Sequence, residues 1–263
     1  MTDRTWDGLE IASDNPRGTT VVVRRPGGDG YEYLLLHRAQ RGADYEGDWA
    51  WTAPAGCRQP GEAVLAAAER ELAEEAGLSG FPLWPVDLSG GWVVFGCDVP
   101  ADVTIDLVDP EHDRYEWVSF DEAAARVIPV EIALGNFCDA TRVAASEVAF
   151  KPVEYAELPS AASPAEQEFL ATIDGTTPYG LYVVQVDGQP AGYIAHYPDD
   201  PETVGLAVAL DNEKAIPATV WSYLRDIVKP AHPDVRRVLA DPAPALAKAG
   251  FPDGTFDVPH LLG

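Results

Sequence analysis

Glu69, Arg70, Glu71, Glu74 and Glu75 fall within seven consecutive residues. Residues three and four apart share a face of an α-helix. If this segment is helical, Glu71, Glu74 and Glu75 project together as three carboxylates within a turn. Like charges at that spacing repel by roughly a few tenths of a kcal/mol per pair. Glu74 and Glu75 would also sit in the last turn, where the helix dipole disfavours anions. An arrangement unfavourable on both counts points to a cation among the carboxylates. Mg²⁺ suits it, with Mn²⁺ as a substitute, because these hard ions take oxygen ligands and are shared with substrate phosphates. The His and Cys ligands that zinc selects are missing from the segment. A solvated acidic helix face is the competing interpretation of the charges alone.

A helix over 63–76 must carry these acids. It follows Pro60-Gly61-Glu62, is rich in Ala, Leu and Glu, and stops at Gly77, where a left-handed cap is easiest for glycine. Leu72 and Leu78, with Val64, Leu65 and Ala68, supply its buried stripe. Gly56 and Gly61 let the chain turn sharply before it. Glu62 sits at its start, where the dipole favours an anion. Arg70 can pair with a carboxylate and hold it in one rotamer. Upstream, strands over 19–24 and 31–37 flank the turn Pro26-Gly27-Gly28-Asp29-Gly30 and form a hairpin. A polar loop over 41–48 leads to a short extended piece at 49–52. Downstream, 92–99 and 115–119 read as strands, and 121–126 and 131–143 as helices.

The chain has 263 residues, with 18 Lys and Arg against 43 Asp and Glu, a formal charge of −25. Such a balance argues against a nucleic-acid polymer, which is bound by neutralising phosphates with Lys and Arg. It argues equally against an anionic membrane surface. Small phosphate compounds stay open, because a bound divalent cation inverts the local charge. Cys57, Cys97 and Cys138 are far apart and fit no C-x-x-C pattern, so neither a disulfide framework nor a zinc ribbon is expected. No run approaches the ~20 apolar residues of a membrane span. The first ten residues lack the apolar core of a signal peptide. A soluble, cytoplasmic protein is the expectation, and a homodimer is compatible with it. The length suits two modest domains of ~100–200 residues. Pro152, Pro159 and Pro164, with a Ser/Ala-rich patch, place a linker at 146–166 between domains at 1–145 and 167–263.

From Gly56 the chain runs GCRQPGEAVLAAAERELAEEAGL. It resembles the Nudix box, G-x5-E-x7-R-E-U-x-E-E-x-G-U with U aliphatic, at every specified position: Gly56, Glu62, Arg70, Glu71, Leu72, Glu74, Glu75, Gly77 and Leu78. The resemblance covers about 15–145. It implies an α/β fold, an α/β/α sandwich around a mixed sheet, and hydrolysis of a nucleoside diphosphate linked to a group X. It further implies that Glu71, Glu74, Glu75 and the Gly56 carbonyl hold the metal, that Arg70 orients these ligands, and that Glu62 supports the loop and helix. Water would attack phosphorus, its proton passing to a carboxylate. Glu75 and Glu111 are both candidates for that base, Glu111 lying in the loop Asp109-Pro110-Glu111-His112-Asp113. Arg38 resembles the arginine of an L-L-x-x-R segment that faces substrate phosphates, contracted by one residue in Leu35-Leu36-His37-Arg38. Trp49 and Trp51 are candidates to stack on a base. The box is preceded by Pro54-Ala55 where many members have Pro-Gly. A nucleoside triphosphate or similar mononucleotide is the favoured substrate. The five histidines do not cluster in sequence and are expected to be surface or hydrogen-bonded residues.

In the second half, strands at 181–186, 191–197 and 204–210 lead to a helix at 216–228, a strand at 235–240 and a helix at 243–249. Their order, and the closing Lys248-Ala249-Gly250-Phe251, resemble the C-terminal part of GNAT acetyltransferases, an α+β fold. That family cradles the acetyl-CoA pyrophosphate in a glycine-containing loop at a helix start. Residues 211–219 contain no glycine, carry Asp211 and Glu213, and add Pro217, which lacks an N–H. A degenerate module without acetyl-CoA binding is expected. Two other classes compete: a nucleotide sensor built on a Nudix scaffold without catalysis, and an acetyltransferase with a Nudix accessory.

Overall fold

The computed structural model describes residues 3–5, 8–28, 30–127, 148–158, 163–241 and 244–263. The expected helix at 131–143 and Cys138 lie outside them. The chain divides into two compact units, Met1–Arg142 with Leu262–Gly263, and Val143–Leu261.

The first unit is built on a seven-stranded mixed sheet. Strand β1 (Gly18–Gly27) turns back into β2 (Gly30–Arg38) as the expected hairpin. β3 (Trp51–Thr52) and β7 (His112–Val118) pair antiparallel with β2. β4 (Ala55–Cys57) pairs antiparallel with β1, and β6 (Trp92–Asp98) runs parallel to it. β5 (Leu83–Asp87) closes the edge against β6. Val21, Val22 and Val23 are all buried, as are Leu34, Leu35 and Leu36. Side chains alternate between faces along a strand, so both faces of these strands are covered.

Helix α1 (Val64–Ala76) ends at Gly77 in the left-handed conformation, whose N–H caps the Ala73 carbonyl. Its buried face comprises Val64, Ala67, Ala68, Leu72 and Ala76, and also Glu71 and Glu75. Leu65 is only half-buried, unlike the expected stripe. Helix α2 (Phe120–Arg126) starts at Ser119, whose hydroxyl accepts from the Glu122 N–H.

The second unit is a six-stranded sheet in the order β13-β12-β11-β10-β9-β8. β8 (Val148–Pro152), β9 (Gly180–Val186), β10 (Gln189–Asp200) and β11 (Thr203–Leu210) are antiparallel neighbours. β12 (Arg237–Leu239) is parallel to β11, and β13 (Thr255–Asp257) returns antiparallel. Helix α3 (Pro164–Ile173) packs Phe169 and Ile173 against Leu181, Ala195, Ala207 and Ala209. Its start is a capping box between Ser163 and Glu166. The stretch expected to be a linker thus contains strand β8, hydrogen-bonded to β9, and the first turn of α3. The helix expected over 216–228 is α-helical only as α4 (Ile216–Tyr223) and widens into a π-helical turn at Leu224–Val228. Helices α5 (Pro244–Lys248) and α6 (Val258–Leu262) complete the chain. No helix among the described residues is long and apolar enough to cross a membrane.

Candidate active site

The box glutamates divide by burial. Glu71 and Glu75, four apart, face inward, whereas Glu74 lies at the helix edge with its side chain 52% exposed. Glu75 is 4% exposed, and its Oε2 accepts from the Ala55 N–H at 2.8 Å. Burial pushes its carboxyl up to about 9 against that hydrogen bond, and the charges of Glu71 and Glu111 add to the rise. Burial likewise raises Glu71, opposed by Arg70. Gly56 touches this carboxylate: a Cβ there would lie 2.2 Å from Glu71 Oε1. Glycine is thus required at 56 for close approach, while Gly61, at φ +76°, supplies the turn.

Arg70 is the organising cation. Its Nε and Nη2 donate to the two oxygens of Glu62 at 2.8 and 3.0 Å. Nη1 donates to Glu71 at 2.7 Å and Glu74 at 3.1 Å, and Nη2 also reaches the Cys57 carbonyl at 3.0 Å. These bonds raise Arg70 above its already high pKa. Glu62 accepts as well from the Gln59 N–H at 2.8 Å. Burial alone would raise Glu62, but Arg70 and that N–H bring it below its ordinary value.

Arg38 and Glu111 meet these acids in one cavity of about 380 Å³, which Gly56, Arg70, Glu71, Glu74 and Glu75 also line. Arg38 lies 3.9 Å from the Glu111 carboxylate, and its buried Nε has no hydrogen-bond partner. The loop carrying Glu111 is tied to α1, with Asp109 N–H donating to the Glu74 carbonyl and Asp106 N–H to that of Ala76. Among the described residues, no three His, Cys, Asp or Glu side chains converge into a ready-made cation cage. Arg70 draws Glu71 and Glu74, and the Ala55 N–H holds Glu75.

The two tryptophans do not join the site. Trp51 is buried, its indole donates to Glu46 at 2.6 Å, and the Arg126 and Arg114 guanidinium groups cover its ring at 4.0 and 5.0 Å. A base has no access to that face. Trp49 is exposed and does not line the cavity.

Several contributors carry no local sequence signal. Arg58, one of the unspecified box positions, is fully buried and donates to the carbonyls of Pro16, Glu62 and Asp14. It fastens the chain before β1 to the loop that enters α1. His112 is buried 4.0 Å from Glu75 with neither ring nitrogen hydrogen-bonded, where burial lowers its pKa to about 4. In the second unit His196 and His232 do meet, Nε2 to Nε2 at 3.0 Å, although the five histidines looked scattered in sequence. Cys57 is half-buried and Cys97 buried, both without a disulfide.

The model of the NUDIX domain family matches residues 14–134. None of the curated proteins compared matches the chain. Among solved structures, it is similar to a C. elegans Ap4A hydrolase in a binary complex, at 20% identity and TM-score 0.38, covering 46% of this chain and 93% of that one. It is similar to the E. coli dihydroneopterin triphosphate pyrophosphohydrolase at 19% identity and TM-score 0.39, covering 49% and 97%. It is also similar to the NUDIX domain of Shewanella oneidensis NrtR complexed with ADP ribose, at 12% identity and TM-score 0.36, covering 47% and 86%. The residues that the NUDIX family model matches thus include Gly56, Arg70, Glu71, Glu74 and Glu75, which line one cavity, and the sheet and helix that hold them.

Proposed function

We propose that the chain hydrolyses the diphosphate linkage of a nucleoside diphosphate-X compound, a nucleoside triphosphate being the favoured case, with Mg²⁺ or Mn²⁺ bound at the box glutamates. One observation carries it: Glu71 and Glu75, both buried on α1, line a cavity that Arg38 and Glu111 line as well. The donor set fits a hard divalent ion. It is all carboxylate oxygen with a glycine backbone at contact distance, and its negative charge exceeds what Arg70 neutralises. Glu71, Glu74, Glu75 and the Gly56 carbonyl would hold the ion. When bound, it neutralises phosphate oxygens and lowers the pKa of water.

The chain's own residues do the rest. Arg38, with an unsatisfied Nε, binds the phosphates. Arg70 keeps Glu71 and Glu74 in fixed rotamers, anchored through Glu62. Glu75, fixed by the Ala55 N–H, or Glu111 at the cavity edge, takes the proton from the attacking water. Incubation with Mg²⁺ and a panel of nucleotide diphosphate derivatives tests this. A product pair from one substrate, lost without Mg²⁺ and reduced at least 100-fold in Glu75→Gln, is expected. Full turnover in both Glu75→Gln and Glu111→Gln, or none by the native protein, overturns it.

The second unit is read as a GNAT-like module that does not bind acetyl-CoA. Its support is the antiparallel run β8 to β11 followed by parallel β12, and the start of α4, where Pro217 stands in place of a phosphate-binding glycine loop. Heat on titrating acetyl-CoA into the protein would refute it.

A further inference from the structure

The cavity has a second wall that the diphosphate chemistry does not use. Besides the box residues, the cavity is lined by Arg4, Thr5, Leu9, Ile11 and Trp92. This stretch of chain is held in place. Arg4 and Glu10 form a β-bridge and an ion pair at 2.7 Å, and Arg4 also donates to the Gly8 carbonyl. The Leu9 N–H donates to the Thr5 hydroxyl, and Ile11 N–H to the Asp3 carbonyl. Ala12 N–H donates to the carbonyl of buried Arg58, which ties the stretch to the box loop. Trp92 is fixed in turn by its indole N–H on the Thr20 hydroxyl at 2.8 Å.

Leu9 nevertheless keeps 49% of its surface exposed. A cavity lined both by apolar side chains and by carboxylates with their cations matches a ligand that is anionic at one end and flat and apolar at the other. A nucleotide has that form: phosphates at one end, and a base with apolar faces and polar edges at the other. Arg4, Thr5 and Glu10 provide donors and acceptors at the rim. The cavity's about 380 Å³ lies near the small end of the ~300–1,000 Å³ of ligand sites. It has room for one nucleoside phosphate.

We propose that the stretch before β1, through Leu9 and Ile11 with Trp92, is the wall that seats the base of a mononucleotide substrate and so selects it. This rests on the hydrolase function proposed above. Inorganic tripolyphosphate offers the same anhydrides without a base. With Mg²⁺, kcat/KM is measured for the four common ribonucleoside triphosphates and for tripolyphosphate, in the native protein, Leu9→Asp and Leu9→Phe. The expected result is a preference for the best nucleotide over tripolyphosphate that falls at least tenfold in Leu9→Asp, through KM, and rises in Leu9→Phe. Leu9 is half-exposed, so neither change threatens the fold. An unchanged preference in both variants, in an active enzyme, overturns the wall and leaves the hydrolase intact. If the native protein cleaves neither compound, triphosphates are not what it hydrolyses, the hydrolase function is judged on the wider panel above, and calorimetry with Mg²⁺ and α,β-methylene nucleoside triphosphates decides on the wall separately. Binding weakened tenfold by Leu9→Asp sustains the wall; binding that is absent or indifferent to the variant refutes it.

Discussion

Replacing Gly56 with alanine puts a methyl group where the Glu71 carboxylate already lies. The new Cβ would be 2.2 Å from Glu71 Cδ and Oε1 and 2.3 Å from Oε2. Ordinary carbon contacts begin near ~3.5 Å, so the carboxylate must retreat by roughly 1 Å. It cannot retreat freely, because it is buried and held by Arg70 at 2.7 Å. Overpacking of this kind costs about 1–3 kcal/mol. The fold should absorb it, because the crowded group is the end of a long side chain and not backbone. The chemistry should not, since a ~1 Å misplacement of an active-site group can cost about 10²-fold. Gly56→Ala is therefore expected to melt within several degrees of the native protein while Mg²⁺-dependent turnover falls about 100-fold. The stabilisation that Mg²⁺ gives the native protein in thermal melts should largely disappear. Turnover within threefold of native, with an undiminished response to Mg²⁺, would show that Glu71 does not need its place against Gly56.

Two further outcomes follow from buried groups. Arg58→Met leaves the carbonyls of Pro16, Glu62 and Asp14 without their donor inside the protein, and should cost about 3 kcal/mol in urea denaturation; a loss below about 1 kcal/mol would mean that water replaces the guanidinium. His196, buried between the Tyr223 hydroxyl and His232, is lowered to about 4 by burial, with the His232 charge adding to the effect. The unfolded chain, at its ordinary ~6.5, then binds a proton that the folded chain refuses. Stability from this group is whole above pH 6.5 and declines as pH falls toward 4, by about 3 kcal/mol in all. Denaturation followed by Trp221, the tryptophan of the second unit, should lose stability between pH 6.5 and 4, and His196→Gln should flatten that slope; equal slopes would place His196 in contact with water.

Much of this protein is legible in its residue order, because the relevant forces are local. Helix α1 follows from its composition and from Gly77, which takes the left-handed cap that ends it. The β1–β2 hairpin follows from two apolar runs around a glycine-rich turn. The box itself names the acids and the arginine. What the sequence could not decide depends on contacts between distant residues. Spacing put Glu71, Glu74 and Glu75 on one face, but packing of α1 against β1 and β4 buries only Glu71 and Glu75. β5 contains Pro85, which reads as a break, yet an edge strand tolerates a missing N–H. β8 sits among prolines and gains its identity from β9, whose paired residues lie 30 to 38 positions further along the chain. Trp51 has the composition of a stacking platform, and only its cover of Arg126 and Arg114 removes it from that role. Arg58 and Leu9 look ordinary in the chain. Burial under three carbonyls makes the first a clasp, and a place in the lining of the cavity that the box acids share gives the second a surface to offer. Periodicity, caps and motif spacing act over a few residues and survive in the sequence; burial and cavity walls are made by chain segments that meet only on folding.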